Sequence, residues 1–310
     1  MMRRREPCDL LVIDEAAQAV EAECLIAFQL RPKSVIFVGD PNQLSAMAQS
    51  DVARRAGYER STMQRLFEKS SVPCNLLSTQ YRMNPEISSF PNSQFYENRI
   101  FNSSVVCEKS RRFRFSREKL PIIFKDLRIY HVEDEGEGKC VLSPYNVLNV
   151  SQGRERRVGG SYCNANEAEI AATLCHVLLG DKHGKRKRSL SSPRISVITF
   201  YNAQVRAIKD KLPYGYDDSD VRVSTVDSFQ GSESEVVILS CVRSNSRHAV
   251  GFVSEFRRLN VALTRAKLGL IVLCHAPTLE NCPSKDLKML VRNARERGLL
   301  HRIATSSNNV

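Results

Sequence analysis

Short apolar runs alternate with amphipathic stretches along most of this chain. "LLVID" (10–14) and "SVIFVGD" (34–40) have the look of buried strands, and each ends in an acid. The stretch from about Ala19 to Gln29 between them has helical spacing. "STMQRLFEKS" opens with Ser61 and Gln64 at capping-box spacing, which predicts a helix start. "NLLSTQYR" reads as a strand, and "NPEISSF" then offers Asn84 as N-cap and Pro85 at the first helical position. Further on, "NEAEIAATLCHVLLG" reads as helix, "RISVITF" as strand and "NAQVRAIKDKL" as helix, followed by strands "VRVSTV" and "EVVILSCV". The helix containing "RRLNVALTRA", the strand "LGLIVLCH" and a last helix from about Asp286 to Arg297 complete the series. Strands alternating with helices in this way predict an α/β chain with parallel sheets.

The alternation breaks between about Asn102 and Gly160, where the text is basic-aromatic ("SRRFRFSREK"), acidic ("EDEGEG") and glycine-rich ("SQGRERRVGG"). That stretch is expected to be a long excursion, part strand and part loop, inserted into the second of two domains. The expected division is residues 1–76 and 77–304, with 305–310, the end of "ATSSNNV", as a disordered tail.

Composition adds three limits. A chain of 310 residues can bury two ordinary cores. No apolar run reaches the length of a membrane span, and "MMRRREPCDLL" lacks a signal-peptide core, so no membrane partner is expected. The ten cysteines include no C-x-x-C pair, which argues against a zinc site or a disulfide framework and for reduced, intracellular thiols. A formal charge of +12 with pI near 9.3 favours a polyanionic partner, most simply nucleic acid.

The candidate chemistry lies at the ends of strands. Asp14 and Glu15 follow the first strand directly, and adjacent carboxylates repel unless something positive lies beyond them. A strand-end aspartate can hold magnesium, and a following glutamate can activate a water. "VGDPNQLSA" ends a second strand in Gly39-Asp40 and leaves Gln43 to project; an amide can accept from a water and donate to a phosphate oxygen. In "QYRMNP", Tyr81 can stack on a base and Arg82 can grip phosphate with two parallel hydrogen bonds. In "STVDSFQGSESEVVILSCVRS", Gln230 and Gly231 make a tight polar turn before a strand, and Glu233 can accept from a ribose hydroxyl. In "EFRRLNVALTRAK", Arg258 and Arg265 stand seven apart and so should share a helix face.

In sequence and in order, "DEAAQ", "GDPNQL", "QYRMNP", "TVDSFQGSE" and "RRLNVALTRAK" resemble the superfamily 1 helicases of the nonsense-mediated-decay and senataxin-like group. The resemblance covers residues 10 to about 300 and is weakest over 102–160. It implies two RecA-like (P-loop NTPase) domains, the first partial and the second complete, with ATP in the cleft between them. It also implies hydrolysis coupled to 5′-to-3′ movement along single-stranded RNA or DNA, by a monomer. By position, Asp14 would hold magnesium, Glu15 would be the general base, Gln43 would sense the γ-phosphate and Tyr81 would stack on adenine. Arg82 and Arg265 would clamp the γ-phosphate, Glu233 would touch the ribose, and Gln230, Gly231 and Arg258 would line the nucleotide. Thr199, Tyr201 and Gln204 of "ITFYNAQ", with Thr225, would lie along the nucleic acid.

One departure is large. The family's phosphate-binding loop, G-x-x-x-x-G-K-S/T, occurs nowhere in the chain: Gly138-Lys139 is followed by Cys140 and Gly184-Lys185 by Arg186. The family's first strands and its adenine-side glutamine are missing too, and "MMRRREP" reads as a truncated start. Asn84 stands where the nonsense-decay helicase has histidine. The rival expectation is a non-catalytic, helicase-derived nucleic-acid-binding or scaffold protein. Two basic segments complete the picture: "KHGKRKR" (Lys182 to Arg188), a nuclear localisation signal, a backbone-contacting loop or a solvated loop, and "SRRFRFSR", where Phe113 and Phe115 interleave with arginines as in a single-strand contact or an alternating edge strand.

Overall fold

The computed structural model describes residues 7–46, 48, 50–69, 72–108, 127–131, 143–179, 193–212, 216 and 218–305. The basic run at 182–188, the "SRRFRFSR" segment, the "EDEGEG" turn and residues 306–310 lie outside them. The chain divides into two compact units, Met1–Leu77 and Ser78–Val310.

In the first unit, β1 (Leu10–Ile13) pairs in parallel with β2 (Ser34–Phe37), and α1 (Glu21–Phe28) makes the crossover. The short helices α2 (Asp51–Arg55) and α3 (Thr62–Glu68) follow. Ser61 caps α3 by accepting from the Gln64 N–H at 3.0 Å, as its spacing predicts. The Gln64 side chain turns the other way and donates to Glu68, so only half of the expected capping box forms. Parallel strands are normally covered on both faces. Here Leu10, Val12 and Ile36 are each about half exposed on one face of the pair.

The second unit runs β3 (Thr79–Gln80), α4 (Pro85–Phe95), β4 (Phe101–Asn102), α5 (Ser104–Cys107), β5 (Leu127–His131), β6 (Tyr145–Val150), β7 (Glu155–Val158), β8 (Ser161–Asn164) and α6 (Ala165–Leu179). It continues with β9 (Ile195–Thr199), α7 (Asn202–Lys211), β10 (Val221–Thr225), α8 (Val226–Phe229), β11 (Ser234–Ser240), a 3-10 turn (Gly251–Ser254) and α9 (Phe256–Leu263). The last elements are β12 (Ala266–Cys274), α10 (Ala276–Asn281), α11 (Lys285–Glu296) and β13 (Leu300–Thr305).

Its main sheet has strand order β10-β9-β11-β12-β6-β13-β5; neighbours run parallel except the last pair, where β5 is antiparallel to β13. Both alternations along the inner strands are buried. Val197, Ile238 and Leu273 pack in one cluster with Ile170, Leu174 and Ile208 from α6 and α7. Ile198, Leu239 and Val272, on the opposite face, are as completely buried. Each such side chain contributes about 1.5–3 kcal/mol of burial, which is why near-continuous apolar runs mark these strands. The architecture is the α/β, parallel-sheet RecA-like fold.

Three expectations change. Of "NLLSTQYR" only Thr79–Gln80 is strand. Tyr145–Val150, within the expected excursion, is an inner strand between β12 and β13. Its pattern is disguised by two asparagines with private partners: Asn146, fully buried, bonds Ser143 through both side-chain atoms, and Asn149 accepts from the Ala276 N–H at 3.0 Å. Finally, β13 runs through Thr305, into the expected tail.

Candidate functional site

In the first unit the strand ends come together as a pair of turns. Asp14 accepts from the Glu15 N–H at 2.9 Å, and Glu15 takes φ 50°, a left-handed conformation that is uncommon outside glycine and concentrates at working sites. The Gln18 side chain donates to Glu15 at 2.8 Å and so aims its carboxylate. Small residues follow because the next turn lies against them. A side chain at Gly39 would place its Cβ 3.1 Å from the backbone nitrogens of both Ala16 and Ala17. The Ala16 N–H donates to Val38 at 2.8 Å, locking "DEAA" onto "VGD". Asp40 then folds its own loop, accepting from the Asn42 N–H and from the Gln43 side chain, both at 2.9 Å. Asp14 and Glu15 are exposed beside that loop.

In the second unit Arg82, Glu233 and Lys267 form one charge cluster. Arg82 Nε donates to Glu233 Oε2 at 2.8 Å, and Lys267 Nζ lies 2.5 Å from Glu233 Oε1. The Lys267 hydrogen bond, with Arg82 adding to it against some burial, holds the Glu233 carboxyl below the usual carboxylate range. Arg82 also donates to the Thr264 carbonyl at 3.2 Å, while Arg265 donates to the Thr264 hydroxyl and the Val261 carbonyl, each at 3.0 Å. One guanidinium and one ammonium thus hold the Glu233 carboxylate, and Arg265 lies alongside through Thr264, which it shares with Arg82, an arrangement suited to a triphosphate with its ribose.

The backbone explains why they meet. Ser234 donates to the Arg265 carbonyl at 3.1 Å, bringing the residue before β11 beside the start of β12. Asn84 ties the "QYRMNP" turn to the same edge: its N–H donates to Lys267 at 2.8 Å, and its side chain caps α4 through the Glu86 N–H. Gln80 shapes the turn from within, accepting from the Arg82 and Met83 N–H groups. Sequence reading missed both Lys267 and Gln80. Each sits inside a quoted motif, but neither shows from sequence which carboxylate or backbone group it will face. Tyr81 is exposed beside Arg82, its ring open to a flat partner.

Arg258 and Arg265 do not share a helix face. α9 stops at Leu263, so Arg265 lies past its end, and Arg258 points instead to Asp227, with bonds of 2.9 and 3.2 Å. Gly231 takes φ 73°, as a tight turn there requires, and the side-chain nitrogen of Gln230 is buried without a protein partner among the described residues.

The residues expected along the nucleic acid are placed differently. Gln204 is fully buried: it accepts from the Asn164 N–H and donates to the Asn164 carbonyl and the Ser240 hydroxyl. Its amide therefore clamps β8 to β11 and has no surface to offer a strand. Thr199 is fully buried too. Tyr201 is 4% exposed; its hydroxyl donates to Val250 at 3.2 Å and accepts from Arg243 at 3.3 Å. Burial pushes that phenol up, Arg243 opposing. Arg243 in turn makes two bonds to Glu155, at 3.0 and 3.2 Å. Burial alone would raise the Glu155 carboxyl, but hydrogen bonds from Arg243, Asn245 and the Ser244 N–H outweigh it and hold it low. Thr225 is partly exposed and caps α8 through the Ser228 N–H.

Two family models, each described as an AAA domain, match residues 58–277 and 1–51. The first spans well over half the chain. This chain belongs to that family, among the superfamily 1 helicases of the senataxin and nonsense-mediated-decay group. It is 36% identical to the probable helicase MAGATAMA 3 of Arabidopsis thaliana, over 97% of this chain and 34% of that protein. It is 32% identical to the probable helicase senataxin of Homo sapiens, over 95% of this chain and 10% of that protein. With the regulator of nonsense transcripts 1 homolog of Drosophila melanogaster it shares 34% identity, over 85% of this chain and 20% of that protein. The chain thus spans about a third or less of the length of these helicases. Among solved structures, an Arterivirus nonstructural protein 10 helicase with DNA matches at TM-score 0.41 and 14% identity, over 93% of this chain and 44% of that one. No helix among the described residues is long and apolar enough to cross a membrane.

Proposed function

We propose that this chain is part of an ATP-dependent helicase that couples hydrolysis to 5′-to-3′ movement along single-stranded RNA or DNA. The observation that carries the reading is the convergence of Arg82, Lys267 and Arg265 around Glu233 and Thr264. A scaffold derived from a helicase, the rival reading, has no need to keep Arg82 and Lys267 on the Glu233 carboxylate with Arg265 beside them.

Magnesium fits the first unit through Asp14, an exposed hard-oxygen donor. No group of three or more His, Cys, Asp or Glu side chains is placed to hold a metal among the described residues. Magnesium at nucleotide sites is held by one or two carboxylates together with substrate phosphates, and Asp14 offers one such carboxylate. Bound magnesium would neutralise charge on the phosphates. Glu15, aimed by Gln18, would accept the proton of the attacking water. Gln43 would exchange its Asp40 bond for one to that water or to a phosphate oxygen. Arg82 and Arg265 would stabilise charge on the transferring group, Glu233 would accept from the ribose, and Tyr81 would stack on the base. We place the working protein inside the cell, acting as a monomer.

The test is titration of labelled single strands with the purified chain at several salt concentrations, alongside an ATPase assay. Affinity should fall steeply with salt and vary little with sequence, because phosphate contacts release counterions. These 310 residues alone, without a phosphate-binding loop, should show no turnover. Salt-independent affinity, or none at low salt, would count against the reading; strand-stimulated turnover by the chain alone that Glu15→Gln abolishes would instead overturn the expected inactivity without the loop.

A further inference from the structure

The Arg243–Tyr201 pair supports a feature that none of the motifs explains. The 3-10 turn Gly251–Ser254 is pressed onto it. Gly251 takes φ 55°, and a Cβ there would lie 2.8 Å from Arg243 Nη1 and 3.2 Å from the Tyr201 hydroxyl. Val250 and Val253 are buried at 3% and 0%, anchoring the turn on both sides of Phe252. Phe252 itself is 61% exposed. The chain thus fixes an aromatic ring firmly and presents it to solvent.

The ring is one of a series. Its centroid lies 6.3 Å from that of Tyr201, which meets Tyr162 edge-on at 5.6 Å. Guanidiniums cover the series: Arg243 lies 4.3 Å over Tyr162, and Arg258 5.4 Å over Phe252. Tyr162 on β8 is paired directly with Arg157 on β7, so the two leave the antiparallel hairpin on the same face, and Arg157 is exposed. Exposed aromatic area this well fixed calls for a cover. Ser254 and Arg258 beside Phe252 are polar or cationic, and Phe256, 37% exposed, has Arg257 5.1 Å over its own ring, so two separated rings and not a wide apolar patch for a protein helix are left. They suit a flat, polar-edged ring beside a phosphate, and the whole chain carries a formal +12.

We propose that Phe252 is a stacking platform for a base of single-stranded nucleic acid, with Arg157 reaching a backbone phosphate beside it and the buried Tyr201 as the pedestal. This rests on the strand-binding reading above and relocates the contact from Tyr201 and Gln204, which are consumed inside the unit, to residues on the surface. Every base has a π-face, so the platform predicts little sequence preference.

The experiment exploits the absence of tryptophan from the chain. In Phe252→Trp the introduced indole is the sole one. It is titrated with a single-stranded oligonucleotide and with an abasic strand of the same length, while anisotropy of labelled strands reports binding. The expected result is emission quenched in step with binding of the base-bearing strand and unchanged on binding the abasic one. Phe252→Ala should weaken the base-bearing strand about tenfold or more and leave the abasic affinity within about twofold. Phe252→Tyr, which keeps the ring, should bind like the unaltered chain. Saturation without quenching, or an alanine variant that binds as tightly as the unaltered chain, overturns the platform while leaving strand binding intact. Failure of the unaltered chain to bind any strand at low salt overturns the strand-binding reading, and the platform with it.

Discussion

Arg82 and Glu233 stand 151 positions apart in the chain and close on each other at 2.8 Å. Both side chains are about a third exposed, so their pairing contributes at most about 1 kcal/mol to folding. In the function proposed above, its consequence belongs to nucleotide binding. In a polypeptide that joins this chain to a phosphate-binding loop, Glu233→Ala should raise KM for ATP about tenfold or more, by loss of a charge-assisted hydrogen bond to the ribose. Unfolding free energy should stay within about 1 kcal/mol. A KM within about twofold of the parent would place Glu233 away from the nucleotide.

Arg265 makes a sharper demand. It is 2% exposed and folded back on Val261 and Thr264, so the finger role requires it to leave those partners on nucleotide binding; a lysine there keeps the charge but not the planar fork. In the same joined polypeptide, Arg265→Lys should lower strand-stimulated turnover nearly as far as Arg265→Ala, by roughly 10³- to 10⁵-fold for an arginine finger. Strand affinity without nucleotide should hardly move, because Arg265 is buried and presents no surface to a strand. Steady-state ATPase and strand titration check both. Turnover surviving within about tenfold, only ~1.4 kcal/mol, excludes the finger role.

Gly251→Ala should be costly at a site that looks like an ordinary turn. The residue sits at φ 55°, and the added methyl would meet Arg243 and Tyr201. Strain of this kind costs roughly 1–3 kcal/mol, and here the flexible end of Arg243 must also move. Denaturant melts should show a loss in that range. A loss below about 0.5 kcal/mol would mean the turn is not pressed onto Arg243.

Glu167 should make stability depend on pH. It is fully buried, and its Oε2 accepts from Ser240 at 2.6 Å and from Val242 at 2.8 Å. Burial pushes its carboxyl from 4.5 up to about 7, against lowering by Ser240 and the backbone of Val242 and Cys241. Folding therefore favours the protonated form. Its contribution is complete below the unfolded value and is lost as pH rises through about 7. Compared with Glu167→Gln, the unaltered chain should lose up to a few kcal/mol between pH 4.5 and 7. Melts of both proteins across that window check it; a constant gap between them would show that Glu167 titrates at its ordinary value.

Much of this was legible in the residues. Strands such as Ile195–Thr199 and Ser234–Ser240 announce themselves, because parallel strands covered on both faces read as unbroken apolar runs. Ser61 and Asn84 mark helix starts, because a cap needs only a local side-chain oxygen. Tyr145–Val150 was hidden, since Asn146 and Asn149 look like loop residues until their partners at Ser143 and Ala276 are known. Seven-residue spacing placed Arg258 and Arg265 on one face only while the helix was assumed to continue.

By itself the sequence determined the family, the α/β alternation and the identities of the charged residues at the strand ends. Those are properties of short windows, where propensity, capping and burial act among near neighbours. Only the tertiary structure decided which of those residues reach solvent. Thr199, Tyr201 and Gln204 stand in a motif expected, by resemblance, along nucleic acid, yet the packing of β8, α7 and β11 encloses them, while Phe252, silent in the pattern, is lifted out. The physical reason is that exposure and pairing depend on what arrives from far along the chain, 40 positions for Asn164 at Gln204 and 151 for Glu233 at Arg82, and no local window contains both partners.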